Sequence, residues 1–220
     1  MTRKKNVPEI EAFARRPRPP ESLFEAENWF RRFIPADGVA EWIDACLMRE
    51  GSPLYNADHQ HLRSADIAYL WAAAENKRQM RRVVGQCEEV TFRCGAWQKG
   101  RQEQQMEEWF GRVPAYLITF DAAYANECSD IEWCALVEHE LMHIAQKTDE
   151  FGAPAFTKDG APKLGIRGHD VEEFVGIVRR YGVGAAAGET AKLVAAAQKA
   201  PEIAGFNIAQ ACGTCLLRAA

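Results

Sequence analysis

His139 and His143 stand four residues apart with Glu140 directly after the first, in the stretch HELMH. An α-helix turns once every 3.6 residues, so both imidazoles leave one face, close enough to hold a single ion. Two neutral imidazoles suit zinc, and the adjoining carboxylate is of the kind that accepts a proton from water at the metal. Chance would place HExxH in roughly one in a hundred chains of this length with so few histidines. The competing reading is a core helix whose histidines are hydrogen-bonded inside the fold. Ile131, Leu136, Val137, Leu141, Ile144 and Ala145 make the segment apolar enough for that. Burying His, Glu and His together without an ion would, however, leave several polar groups in need of partners.

A catalytic zinc site uses three protein ligands and keeps a position for water. Downstream stand His169, Asp170, Glu172 and Glu173. His169 is the favoured third ligand, because imidazole is a usual partner of zinc and Glu173 sits three residues after Asp170 at capping distance. Glu172 or Glu173 is the alternative. Asp170 reads as a helix cap or as an acceptor that fixes an imidazole tautomer. His59 and His61 are two apart, opposed on a helix and aligned only on a strand, and nothing of ligand type clusters with them. Cys212 and Cys215 form a CxxC, which is either half of a second zinc site, with Cys87 and Cys94 as the other half, or a redox pair.

The elements that must position these residues follow from pattern and punctuation. Residues 129–147 read as one helix opened by a capping box, with Ser129 and Glu132 at the required spacing. Residues 114–123 (PAYLITFDAA) are dense in aromatic and β-branched types and read as a strand beside the metal helix. Such a strand, if at a sheet edge, binds an extended peptide by main-chain pairing; the other reading is an ordinary central strand. Asp159-Gly160 marks a hairpin turn between 151 and 166. Helices are expected over 21–34, 39–49, 65–82, 102–110, 168–182 and 188–200, and a short strand over 89–92. The fold class is α+β, a small sheet packed on the HExxH helix with additional N-terminal helices.

The chain has 220 residues, 47% of them hydrophobic, enough for one core. Residues 1–20, rich in Arg, Lys and Pro, read as a flexible basic arm ahead of a single domain over 21–220. A net charge of −4 argues against wholesale nucleic-acid coating, but leaves DNA contact open to the arm. No apolar run is long enough to span a bilayer, no secretory signal is visible, and the seven cysteines are an odd number. A cytoplasmic protein with reduced thiols is the expectation.

HELMH followed by GHDVEEF resembles the SprT-like zincins, in which HExxH is completed by a His in a short HGxxF-type segment. This sequence departs from them at Asp170, where the family has Gly, in one extra residue before Phe174, and in a longer hairpin. It is more similar to the phage metallopeptidase family of phage and prophage genomes. The resemblance runs from about 64 to 215 through ITFDAAYANECSD, EHELMHIAQ, FGAPAFTKDGAP, RGHDVEEFVGIVRRYG and CGTC. It implies a zincin-like domain and a zinc peptidase of a phage-infected host cell, with Zn2+ on His139, His143 and His169 and Glu140 as general base, acting on a protein or peptide. Two rivals stand beside it: a non-catalytic binding module that keeps the ion for stability, and a SprT-like DNA-associated protease.

Overall fold

The computed structural model describes residues 16–52, 54–78, 81–171 and 188–200. Its regular elements are, in order, β1 (Phe33–Pro35), α1 (Val39–Ile43), β2 (Ile67–Ala72), β3 (Lys77–Arg78), β4 (Arg81–Arg82), β5 (Gly85–Glu89) and α2 (Ala96–Phe110). They continue with β6 (Tyr116–Asp121), α3 (Ala122–Glu127), α4 (Asp130–Met142), β7 (Ile144–Gln146), β8 (Leu164–Ile166) and α5 (Glu189–Ala197). The fold is mixed α and β. Helix α5 belongs to a second, smaller compact unit. Among the described residues no helix is long and apolar enough to cross a membrane.

A four-stranded sheet in the order β1-β2-β6-β5 separates two apolar layers. Strands β2 and β6 run parallel, Ile67 opposite Tyr116 and Ala72 opposite Asp121, and β1 and β5 flank them antiparallel. Alternation along the strands divides the side chains. Tyr69, Trp71, Ile118, Phe120 and Cys87 join the cluster formed with Trp133, Leu136, Val137 and Leu141 of α4. Ala68, Leu70 and Leu117 point the other way, toward Met106 of α2, with Trp109 and Phe110 packed beside them. The centre of the first layer is aromatic: Trp133 lies 4.9 Å from Phe120, 5.4 Å from Trp71 and 6.1 Å from Trp42, ring centroid to centroid. Such pairs add about 0.5–1.5 kcal/mol each beyond their burial.

Residues 65–82, expected as a helix, instead supply the central strand β2 and the small β3-β4 ladder. Ile67, Leu70, Trp71 and Ala74 recur at helical spacing, but a strand buried on both faces is a continuous apolar run that contains that spacing. Residues 21–34 are also not one helix. Two 3-10 turns, Glu21–Leu23 and Ala26–Asn28, precede β1, and Phe24, Trp29, Phe30 and Phe33 are exposed while Leu23 is buried. The strand expected at 89–92 lies at Gly85–Glu89. Helices at 39–49 and 102–110 are present as α1, continued by a π-helical segment Asp44–Met48, and as the longer α2.

Arg16 and Arg18, placed by composition in a solvated arm, are committed to the fold. Arg16 is buried, donating from Nε to Asp130 Oδ1 at 2.7 Å, from Nη1 to the Ala125 carbonyl at 2.9 Å and from Nη2 to the Cys128 carbonyl. Its guanidinium also lies 5.7 Å from the centre of the Trp133 ring. Arg18 donates to the Asn126 carbonyl. Thus two arginines staple the chain to the turn that launches α4. Residues 1–15 lie outside the described residues.

The capping box forms as the sequence requires. The Ser129 hydroxyl accepts from Glu132 N–H at 3.3 Å, and the Glu132 carboxylate accepts from Ser129 N–H at 2.6 Å. That backbone donor, followed by the Ser129 side chain, holds the Glu132 carboxyl below its ordinary value. The folded-state value is depressed, so the cap's contribution is complete above the unfolded glutamate range and is lost as pH falls through the folded one. Ser129→Ala is expected to cost about 1 kcal/mol in denaturant unfolding at neutral pH, and less once acid has protonated Glu132.

Candidate metal centre

Helix α4 stops at Met142, shorter than the expected 129–147, and the chain passes at once into β7. His139 therefore lies in the last turn and His143 at the C-cap, with ring centroids 5.1 Å apart. Glu140, between them in sequence, is fully buried, and His143 is 2% exposed.

Strands β7 and β8 then pair antiparallel, Ile144 opposite Ile166, and the hairpin between them contains two tight turns. Asp149 Oδ1 accepts from Phe151 N–H and Ala153 N–H in the first, and Thr157 Oγ1 from Ala161 N–H in the second. The second is the turn expected at Asp159-Gly160, with Gly160 at φ +80°. Pairing brings the returning strand to the end of α4. Arg167 N–H donates to the His143 carbonyl at 2.9 Å, and Arg167 Nε donates to the Met142 carbonyl at 2.8 Å.

A third bond defines the histidine. His143 Nδ1 is 2.9 Å from the Arg167 carbonyl oxygen, which can only accept. Nδ1 therefore carries the proton, and Nε2 keeps its lone pair for a metal. His169 follows two residues after Arg167. The ligand atoms of His139, His143 and His169 lie within 4.8 Å of one another. Three imidazoles at that separation, one of them with its tautomer set by a backbone acceptor, form a donor set of the kind that fits zinc. Asp170 is exposed. Glu172, Glu173, Cys212 and Cys215, and the helix expected at 168–182 beyond Val171, lie outside the described residues.

His59 and His61 serve the centre in another way. The 3-10 turn Ala57–Leu62, capped by Asn56 accepting from Asp58 N–H, lies along the end of α4. His61 Nε2 donates to the Ile144 carbonyl at 2.8 Å, and Asn56 Nδ2 donates to Glu138 Oε2 at 2.8 Å. The fully buried His59 has Nε2 3.5 Å from the same carboxylate oxygen. These contacts brace the residues on either side of His139–His143, and no local spacing foretold them because the partners are some 80 residues away in sequence.

Of the two readings open for residues 114–123, an edge strand or a central one, the structure takes the second. The strand of residues 114–123, here β6, is interior, between β2 and β5, so its backbone is already paired on both sides. The strand that ends the sheet near α4 is β5, and its Gly85 abuts Glu140. Among the described residues Cys46, Cys87, Cys94, Cys128 and Cys134 form no disulfide. Burial above all pushes the Cys134 thiol up to about 12, so this neighbour of the centre is un-ionised at neutral pH.

No curated protein and no solved structure matches the chain. The family model described as "Putative phage metallopeptidase" matches residues 40–198. That span begins within α1 and ends before Cys212 and Cys215. With most of its length matched and a three-histidine cluster compatible with a metal ion, the chain belongs to this phage metallopeptidase family.

Proposed function

We propose that the protein is a zinc-dependent endopeptidase, with His139, His143 and His169 as the metal ligands and Glu140 as the general base. The observation that carries this reading is the placement of Glu140. It is buried one residue after a partly buried imidazole and three before a buried one whose tautomer leaves Nε2 for the metal. Zinc bound there supplies the Lewis acidity that brings a water within reach of ionisation near neutral pH. Glu140 takes the proton from the attacking water and returns it to the leaving amine, so that the scissile C–N bond breaks with a neutral amine departing. Arg167 holds His143 in its ligating tautomer, and Asn56, His59 and His61 keep the end of α4 from shifting.

The substrate is a protein or peptide, and β5 supports an extended one. It terminates the sheet beside Glu140, so a peptide adding to its outer edge would pass the carboxylate. If Glu172 or Glu173 replaces His169 as third ligand, the same chemistry stands with a carboxylate in the metal's sphere.

A mixed peptide library incubated with the zinc-loaded protein is expected to show cleavage by mass spectrometry. Cleavage should be abolished by 1,10-phenanthroline and recovered on return of zinc. Absence of any cleaved member with one zinc bound per chain would favour a module that keeps the ion for stability alone.

A further inference from the structure

Gly85 lies inside β5, opposite Phe120 of β6, and its φ is not in the left-handed region. Any residue could adopt that backbone. Glycine within a strand weakens it, having no side chain to pack, and commonly marks a close approach. The close approach here is to Glu140. A Cβ on residue 85 would stand 2.5 Å from Glu140 Oε1, 3.0 Å from Glu140 Cδ and 2.7 Å from Leu136 Cδ1. Real Cβ atoms essentially never come so near. Glu140 and Leu136 are both fully buried, so neither has solvent to retreat into.

We infer that Gly85 is a positioning residue for the Glu140 carboxylate, its missing side chain being the space that the carboxylate occupies. The inference rests on the reading of Glu140 as general base, and it adds the determinant of where that base sits. The strand backbone forms the floor on which the carboxylate lies, and the smallest possible side chain at 85 lifts it. The three atoms nearest the added methyl belong to Glu140 and Leu136, so the expected effect falls on the base and not on metal content. A base displaced by about 1 Å loses on the order of a hundredfold in rate.

The steric coupling is read without metal or substrate. Melting temperatures of the metal-free wild type, Gly85→Ala, Glu140→Ala and the double variant form a cycle. Gly85→Ala is expected to lower the melting temperature by roughly 2–10 °C, the range for overpacking a core in a protein of this size. In the Glu140→Ala background the loss should fall to less than half, because two of the three close approaches vanish with the carboxylate and the space it leaves lets Leu136 shift from the third. Equal losses in both backgrounds overturn the inference. If Gly85→Ala alone fails to fold, folding of the double variant reports the same coupling, and failure of both overturns it.

For the zinc-loaded protein acting on a library peptide, Gly85→Ala should lower kcat about a hundredfold while zinc content and KM stay at wild-type values. Wild-type kcat in Gly85→Ala beside an inactive Glu140→Gln would sink the role of Gly85 and leave the peptidase reading intact. An active Glu140→Gln would sink the peptidase mechanism itself.

Discussion

Glu140→Gln keeps one zinc per chain and loses turnover by roughly a hundredfold to ten-thousandfold, the span attributed to a positioned general base. The amide matches the carboxylate in size, so it fills the same space over Gly85. What disappears is the capacity to accept a proton from the attacking water. The loss should therefore fall on kcat, with KM for a library peptide near its wild-type value. Turnover equal to wild type would refute the mechanism whatever the metal content. Glu140→Asp is the finer control: retaining the charge on a shorter side chain, it should recover part of the rate only if proton transfer, and not packing, is what fails.

Zinc content falls from one per chain to near zero in His139→Ala, His143→Ala and His169→Ala, measured by metal analysis after dialysis against a weak chelator. Two remaining ligands cannot replace the binding free energy of three, and apparent affinities of structural zinc sites correspond to about 10–16 kcal/mol in total. His143→Ala should be the most severe, because its Nδ1–H also joins α4 to the Arg167 carbonyl. Losing that hydrogen bond adds about 0.5–1.5 kcal/mol of destabilisation to the loss of the metal. His169→Ala tests the third ligand directly. Retention of zinc there, with loss in Glu172→Ala or Glu173→Ala, would transfer the role to a carboxylate. Two zinc ions in the wild type, falling to one in Cys212→Ser, would assign the CxxC to a second metal.

Among the elements around the centre, α4 was legible because its determinants are local. Ser129 and Glu132 close the cap within one turn, and His139, Glu140 and His143 take their facing from helical geometry alone. The turn at Asp159-Gly160 was legible for the same reason, glycine being suited to its left-handed φ of +80°. Residues 65–82 were not. An apolar run reads as helix or as buried strand until something packs on both of its sides, and here β6 and β1 flank β2 while α4 and α2 cover its faces. Arg16 was misjudged by composition: a Pro- and Arg-rich segment is solvated unless acceptors await it, and its acceptors, at Ala125, Cys128 and Asp130, lie more than a hundred residues on.

The residue types able to bind zinc and move a proton were determined by spacing within a single helix, where covalent geometry dictates which side chains share a face. Only the tertiary structure decided that the Arg167 carbonyl sets the His143 tautomer, that His59 and His61 brace the centre, that β5 and not β6 ends the sheet beside it, and that Gly85 makes room for Glu140. Each of these is a contact between segments distant along the chain. Hydrogen bonds and van der Waals surfaces act only at the separations that folding creates, so spacing in sequence carries no trace of them.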